Sequence, residues 1–260
     1  MSDRFRVIAL PRVAYGGRWR TEAMRSYSQP LLLWFTRGQG RITVSGVTHG
    51  YGPHHAVFLP AGTMHGFEMS GQVFGTAVYF PKGADLGLAD EPMHLKFRDV
   101  QQQSELSGLI ENLQRELDRD LPGRDRALLN HGGLLAVWLE REMLKVGEND
   151  LYPDASRRIA AAFTALVEQE YRSGKSVNDY AAALGVTPTH LTRACNTACG
   201  RPASALLTDR IHYEARRLLI ETDRPVKDIA DELGFTSAAY FTRAFQKHTG
   251  STPSAFRRTG

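Results

Sequence analysis

Arg193 and Arg243 stand at matching places in two related stretches of the chain. A guanidinium presents five N–H donors in a fixed fork, which suits guanine O6 and N7 or a phosphate. Around them lie further groups able to meet a nucleic acid: Thr189, Thr192 and Asn196 in the first stretch, Ser237, Ala239 and Tyr240 in the second. The small Ala239 allows close approach or a thymine-methyl contact, so the second stretch offers fewer donors. A different chemistry is available nearer the N-terminus, where Arg18, Arg20 and Arg25 cluster. Arginine pairs bidentately with carboxylates. Arg20 or Arg25, with His65, Trp34 and Tyr79 as lining, would make a pocket for a small organic acid. Surface arginines on an edge strand are the plainer alternative.

The elements that must hold the two lone arginines are short helices. In Pro225 to Arg258, Ile229, Ala230 and Leu233 make one apolar stripe, and Gly234 follows where a helix must stop and turn. Thr236 or Ser237 can cap a second helix, with Phe241 and Phe245 on its inner face and Ala239, Tyr240 and Arg243 outside. Gly250 ends that helix, and Thr252-Pro253 opens another. Helix, glycine turn and helix read as a helix-turn-helix whose second helix enters a major groove, or as an ordinary αα-hairpin.

The repeat favours the first reading. Asp179, Ala181, Leu184 and Gly185 match Asp228, Ala230, Leu233 and Gly234; Thr192, Arg193, Ala194 and Gly200 match Thr242, Arg243, Ala244 and Gly250. The offset grows from 49 to 50 residues in the turn, and Leu191 and Cys195 replace the two phenylalanines. Two copies of one supersecondary unit are implied. Between them, residues 203–221 form a helical stripe of Leu207, Ile211, Ala215, Leu218 and Leu219. It would span roughly 28 Å, against about 34 Å between successive major grooves.

The run from Ile229 to Arg257, I-A-x-x-x-G-F followed by Y-F-x-R-x-F, G-x-T-P and F-R, resembles the signature of the AraC/XylS family of bacterial transcription regulators. The resemblance covers the C-terminal hundred residues. It implies a seven-helix DNA-binding domain with two helix-turn-helix units on a long linker helix, behind a variable domain that binds an effector or dimerises. It also implies a role as an activator on double-stranded promoter DNA, with RNA polymerase near the second unit.

Composition is compatible with this. The net charge is +4, and residues 150–260 hold 15 Lys and Arg against 12 Asp and Glu, so most of the surplus lies in the proposed DNA-binding half. Two cysteines make no disulfide framework, and Cys195, at a core position, reads as a small buried hydrophobe. With no membrane-length apolar run and no secretory leader, the expected location is the cytoplasm.

Residues 5–81 alternate short apolar runs with Gly and Pro turns, as a small sandwich or barrel does. Pro60-Ala61-Gly62-Thr63-Met64-His65 resembles the second motif of cupins, P-x-G-x-x-H. Residues 18–33, where a first metal motif would lie, contain no histidine, and His49, His54 and His55 border a Gly/Pro turn. No metal, cofactor or catalytic residue is therefore expected. Residues 82–100 read as a loop ending in a strand, and 103–119 and 125–146 as helices. The second is apolar enough either for a dimer interface or for packing on both the barrel and the first helix.

The expected fold class is α+β: a cupin-like β-barrel over 1–100, a helical dimerisation segment over 101–147, a linker over 148–154, and an all-α double helix-turn-helix domain over 155–260. The expected function is a homodimeric, sequence-specific regulator that answers a small-molecule effector, an organic or aromatic acid. The rivals are a metal-dependent cupin enzyme fused to a DNA-binding domain, and a ligand-independent regulator whose barrel only dimerises.

Overall fold

The computed structural model describes residues 4–69, 72–146 and 154–259. β1 (Arg6–Ala9) leads into two helical turns, α1 (Leu10–Val13) and α2 (Trp19–Glu22). There follow β2 (Leu31–Arg37), β3 (Gly40–Val44), β4 (Val47–Tyr51), β5 (His55–Leu59), β6 (His65–Phe67), β7 (Phe74–Tyr79) and β8 (Met93–Lys96). They make two antiparallel sheets, ordered β1-β7-β2-β5-β8 and β4-β3-β6.

Strand alternation explains the layers. Leu31, Leu33 and Phe35 face the space between the sheets, with Ile42, Val57, Leu59 and Phe67. Leu32 and Trp34 face the other way, onto α3 (Val100–Leu117) and α4 (Arg124–Val146). β2 is thus covered on both faces, which is why LLLWF is an unbroken apolar run. α3 begins three residues before the expected start because Asp99 accepts the Gln101 N–H at 3.0 Å and caps it there. β8 falls earlier than the end of its loop and closes the large sheet by pairing with β5. The expected linker, 148–154, lies outside the described residues apart from Asp154, whose carboxylate caps the next helix.

Seven helices complete the chain: α5 (Ala155–Glu170), α6 (Val177–Ala183), α7 (Pro188–Cys199), α8 (Ala203–Glu221), α9 (Val226–Glu232), α10 (Ala238–Thr249) and α11 (Pro253–Thr259). α6 starts with a capping box in which Ser176 and Asp179 satisfy each other's end of the helix. Gly234 turns α9 into α10 at φ 75°, and a Cβ there would lie 2.4 Å from the Gly174 nitrogen, so both the turn and the close approach require glycine.

The two halves share a core. Phe163, Tyr180, Leu191, Cys195, Phe241 and Phe245 are buried together, and Met24, Val47 and Met64 from the sheet half join them. The β3–β4 turn, Ser45-Gly46, has positive φ at both residues and rests on α5. A Cβ on Gly46 would meet the Ala160 carbonyl oxygen at 3.0 Å.

Candidate nucleic-acid interface and buried acid site

α6–α7 and α9–α10 are the two helix-turn-helix units. Within each, the inner face is sealed: Leu191 and Cys195 in the first, Phe241 and Phe245 in the second, all at 0% exposure. Burial pushes the Cys195 thiol up to about 12, so it stays protonated and packs as a hydrophobe. On the outer faces Thr189, Arg193, Asn196, Ala239, Tyr240 and Arg243 are exposed and Thr192 is half-buried. Ser237 is exposed too, but its hydroxyl accepts the Tyr240 N–H at 3.2 Å and caps α10. Thr187 does the same for α7 through the His190 N–H. His190 and Gln246, exposed at positions equivalent to Tyr240 and Asn196, are absent from the expected set; the repeat register was the signal that pointed to them.

The arginines divide into two groups. Most of those on and around α8 are held by acids: Arg210 by Glu168 and Glu214, Arg217 by Glu214 and Glu221, Arg172 by Glu214 and Glu232, Arg201 by Asp209; Arg216 instead lies over the Trp19 ring. Arg193 and Arg243 have no ion-pair partner among the described residues, and so keep their forks for a polyanion. Arg257 donates to the Leu219 and Arg224 carbonyls and clasps α11 to the end of α8.

The expected acid-binding residues separate. Trp34 is a correction: it lies outside the sheet space, and its indole N–H donates to Ser107 on α3 at 3.3 Å. Even numbers on β2 face the helices, so it cannot join the others. Arg20 also departs, because residues 19–22 form α2 rather than a strand; its guanidinium lies over Trp19, whose ring packs on Tyr213 and Phe256. Arg18 is exposed and paired with Glu22.

Arg25, His65 and Tyr79 do converge. Arg25 and His65 form a β-bridge, exchanging backbone hydrogen bonds of 2.9 and 2.7 Å. The Arg25 side chain has 0% exposure. Nε donates to the Tyr27 hydroxyl at 2.9 Å and Nη1 to the Thr21 and Ala23 carbonyls, while Nη2 has no partner. No carboxylate pairs with it among the described residues; the groups acting on its charge are Tyr27, Tyr213 and Tyr79. Burial works against the Tyr27 phenolate, yet the charge and hydrogen bond of Arg25 pull its pKa below the usual tyrosine value. His65, 1% exposed, donates Nδ1–H to the Thr63 carbonyl at 2.8 Å, which leaves Nε2 as a buried acceptor without a partner. Burial, then the Arg25 charge, drive its pKa well below the ordinary histidine range. Tyr213, one of the tyrosines acting on the Arg25 charge, comes from α8 of the helical half. The site therefore lies across the seam, a position no local pattern could show.

A histidine cluster was also out of reach of local spacing. His49, His55 and His94 come from β4, β5 and β8, with His55 Nδ1 and His94 Nε2 2.8 Å apart. Burial first, then its two neighbours, lowers the His94 pKa to about 4. Among the described residues no group of His, Cys, Asp or Glu is arranged to hold a metal ion.

Residues 17–135 match the model of the AraC-like ligand binding domain, and residues 180–259 that of a helix-turn-helix domain. The chain is 36% identical over 87 residues to the Probable transcription factor PqrA of Proteus vulgaris, covering 34% of this chain and 71% of that protein. It is 27% identical over 124 residues to the arabinose operon regulatory protein of Escherichia coli K12, covering 48% and 42%. A crystal structure of apo ToxT from Vibrio cholerae aligns with 98% of this chain and 94% of its own, at 14% identity and a TM-score of 0.44. The matches span less than half the length of most of the curated relatives. Among the described residues no helix is long and apolar enough to cross a membrane.

Proposed function

The chain belongs to the AraC/XylS family of transcription regulators, with a ligand-binding domain ahead of its DNA-binding domain, and on that premise we propose that it is a dimeric activator whose DNA affinity answers a small organic acid held at Arg25. The observation that carries the acid is the guanidinium itself. A buried charge without a counter-ion costs several kcal/mol, and Arg25 is fully buried with Nη2 unpartnered and no carboxylate beside it. A ligand carboxylate would supply the missing charge. His65 Nε2 would accept from a hydroxyl on the same ligand, with Tyr27 and Tyr79 as walls.

Clefts of about 300 and 340 Å³ flank the seam, and neither is lined by Arg25. An acid reaching Arg25 therefore has to part the seam, and this ties occupancy to the relation between the halves. Binding then shifts a pre-existing equilibrium rather than driving chemistry. Dimerisation is supported by α4, which buries Leu128, Leu135 and Leu139 inward yet exposes Leu134 and Leu144 by 58% and 74%. A second copy would cover that outer stripe. Arg193, Thr189, Thr192 and Asn196 would read one major groove, and Arg243, Tyr240 and Ala239 the next, on promoter DNA in the cytoplasm, with RNA polymerase adjoining the second unit.

Thermal-shift titration of the full chain with aromatic and aliphatic carboxylates, each beside its amide, tests the acid. A carboxylate at about 100 times its Kd should add about 2.7 kcal/mol, and Arg25→Met should abolish the gain. Equal shifts by acid and amide, or a gain that survives in Arg25→Met, would sink this reading. A genomic footprint of the tagged protein should show discrete peaks; a folded, abundant protein with no enrichment would refute the DNA reading.

A further inference from the structure

Asp209 lies on α8 at 7% exposure. Three donors reach it from three parts of the molecule. The Met24 main-chain N–H, 185 residues away, donates to Oδ2 at 2.9 Å. Arg201, just past the glycine that ends α7, donates to the same oxygen at 3.1 Å. His248, in the last turn of α10, places Nε2 3.5 Å from Oδ1. One carboxylate thus touches the ligand-binding half and an end of each recognition helix.

The segment that supplies Met24 is two-faced. Arg25 turns to the sheet half and bridges to His65, while Met24 and Ser26 on either side meet the helical half. Ser26 donates to Glu168, which also holds Arg210 through two hydrogen bonds of 2.7 and 2.8 Å. Alternation along an extended backbone produces this division, so Arg25 cannot be displaced without moving the Met24 N–H.

We propose that Asp209 is the positioning residue through which the ligand-binding half sets the two recognition helices. A buried carboxylate holds its place by a balance of charge-assisted hydrogen bonds. When Met24 withdraws its N–H, Arg201 and His248 are left to pull the carboxylate, and the C-terminal ends of α7 and α10 shift with it. The proposal rests on the regulator reading above, but on no particular acid or operator.

Hydrogen–deuterium exchange of the full chain, without ligand or DNA, tests it. Asp209→Asn should raise exchange at least tenfold both in residues 19–27 and in residues 238–249, with the α5 core at 159–167 unchanged as reference. Ser26→Ala cuts the parallel bridge to Glu168 and should loosen 19–27 alone. His248→Gln, a change at a partly exposed side chain, should raise exchange at 19–27 across the seam several-fold, an effect that a role confined to α10 does not produce. Loosening on only one side of the seam in Asp209→Asn, or uniform loosening that includes 159–167, overturns the proposal. If Asp209→Asn does not fold, His248→Gln decides: no change at 19–27 overturns it. A negative result here leaves the carboxylate titration of Arg25 to be judged on its own outcome.

Discussion

The two helix-turn-helix units share one scaffold and differ in what fills it. Each recognition helix begins at the same kind of hydrogen-bonded cap, Thr187 or Ser237 accepting the N–H three residues on. Each recognition helix ends at a left-handed glycine, Gly200 or Gly250. Inside, the first unit buries Leu191 and Cys195 where the second buries Phe241 and Phe245, with Phe235 and Phe256 packed on the phenyl rings. Outside, the first offers Thr189, Arg193 and Asn196, whereas the second offers Ala239, Tyr240 and Arg243. The stop glycine and the cap recur in both copies, because each satisfies the backbone where a helix ends or begins, while the turn between them is one residue longer in the second copy. The faces have diverged because a core needs only volume and a groove needs only the right donors. The first unit turns more hydrogen-bonding side chains outward, and the second is the more heavily built inside.

The largest effect expected from this contrast is on stability. Phe241→Ala should cost about 3–5 kcal/mol by cavity formation, while Cys195→Ala, which removes one small atom, should cost on the order of 1 kcal/mol. Equilibrium urea unfolding of both variants measures the difference; equal costs would mean the two inner faces are equivalent.

Acid should act on the second unit through His212, which stacks on Phe245 and His248. Burial is the first cause holding its pKa down to about 4. Its unfolded value is near 6.5, so between the two the unfolded chain binds the proton and the folded chain does not. Stability is therefore full above about pH 6.5 and falls as pH drops toward 4, by up to about 3 kcal/mol. His212→Gln should flatten that slope in denaturation curves taken between pH 7 and 4; an unchanged slope places the loss elsewhere.

On DNA the sharper test is Arg193→Ala against Arg243→Ala. Each should weaken operator binding by about 1–3 kcal/mol if it forks onto guanine. Fluorescence anisotropy with operator and scrambled duplexes should show Arg193→Ala losing discrimination. An equal loss on both duplexes would identify a phosphate contact instead.

The smallest effects belong to the caps. Thr187→Ala and Ser237→Ala should each cost about 1 kcal/mol of stability. Ser237→Ala should leave base preference intact, because its hydroxyl is engaged by Tyr240.

Much of the helical half was open to a reader of the chain alone. A helix stop, a cap and an i, i+4 stripe are local, and a repeat at 49–50 residues shows them twice, so Gly234, Ser237 and the Phe241/Phe245 face could be named in advance. The sheet half was less open. Alternation on β2 decided that Trp34 faces α3, and a register one residue different would have turned it into the space between the sheets. A turn of helix at 19–22 took Arg20 out of the site.

The amino-acid order settled the pieces: two capped helix-turn-helix units with an arginine at the same place in each, a long helix between them, and a cluster of arginines, Arg18, Arg20 and Arg25, ahead of the strands. It could not settle how the halves meet. Met24 and Asp209 are 185 residues apart, and Arg25 shares its surroundings with Tyr213 of α8. Neither partnership has a period or a spacing, since both arise from the packing of surfaces distant along the chain. Whether a guanidinium is solvated or buried without an acid, and whether a carboxylate is a surface charge or a junction, is decided by what folds over it.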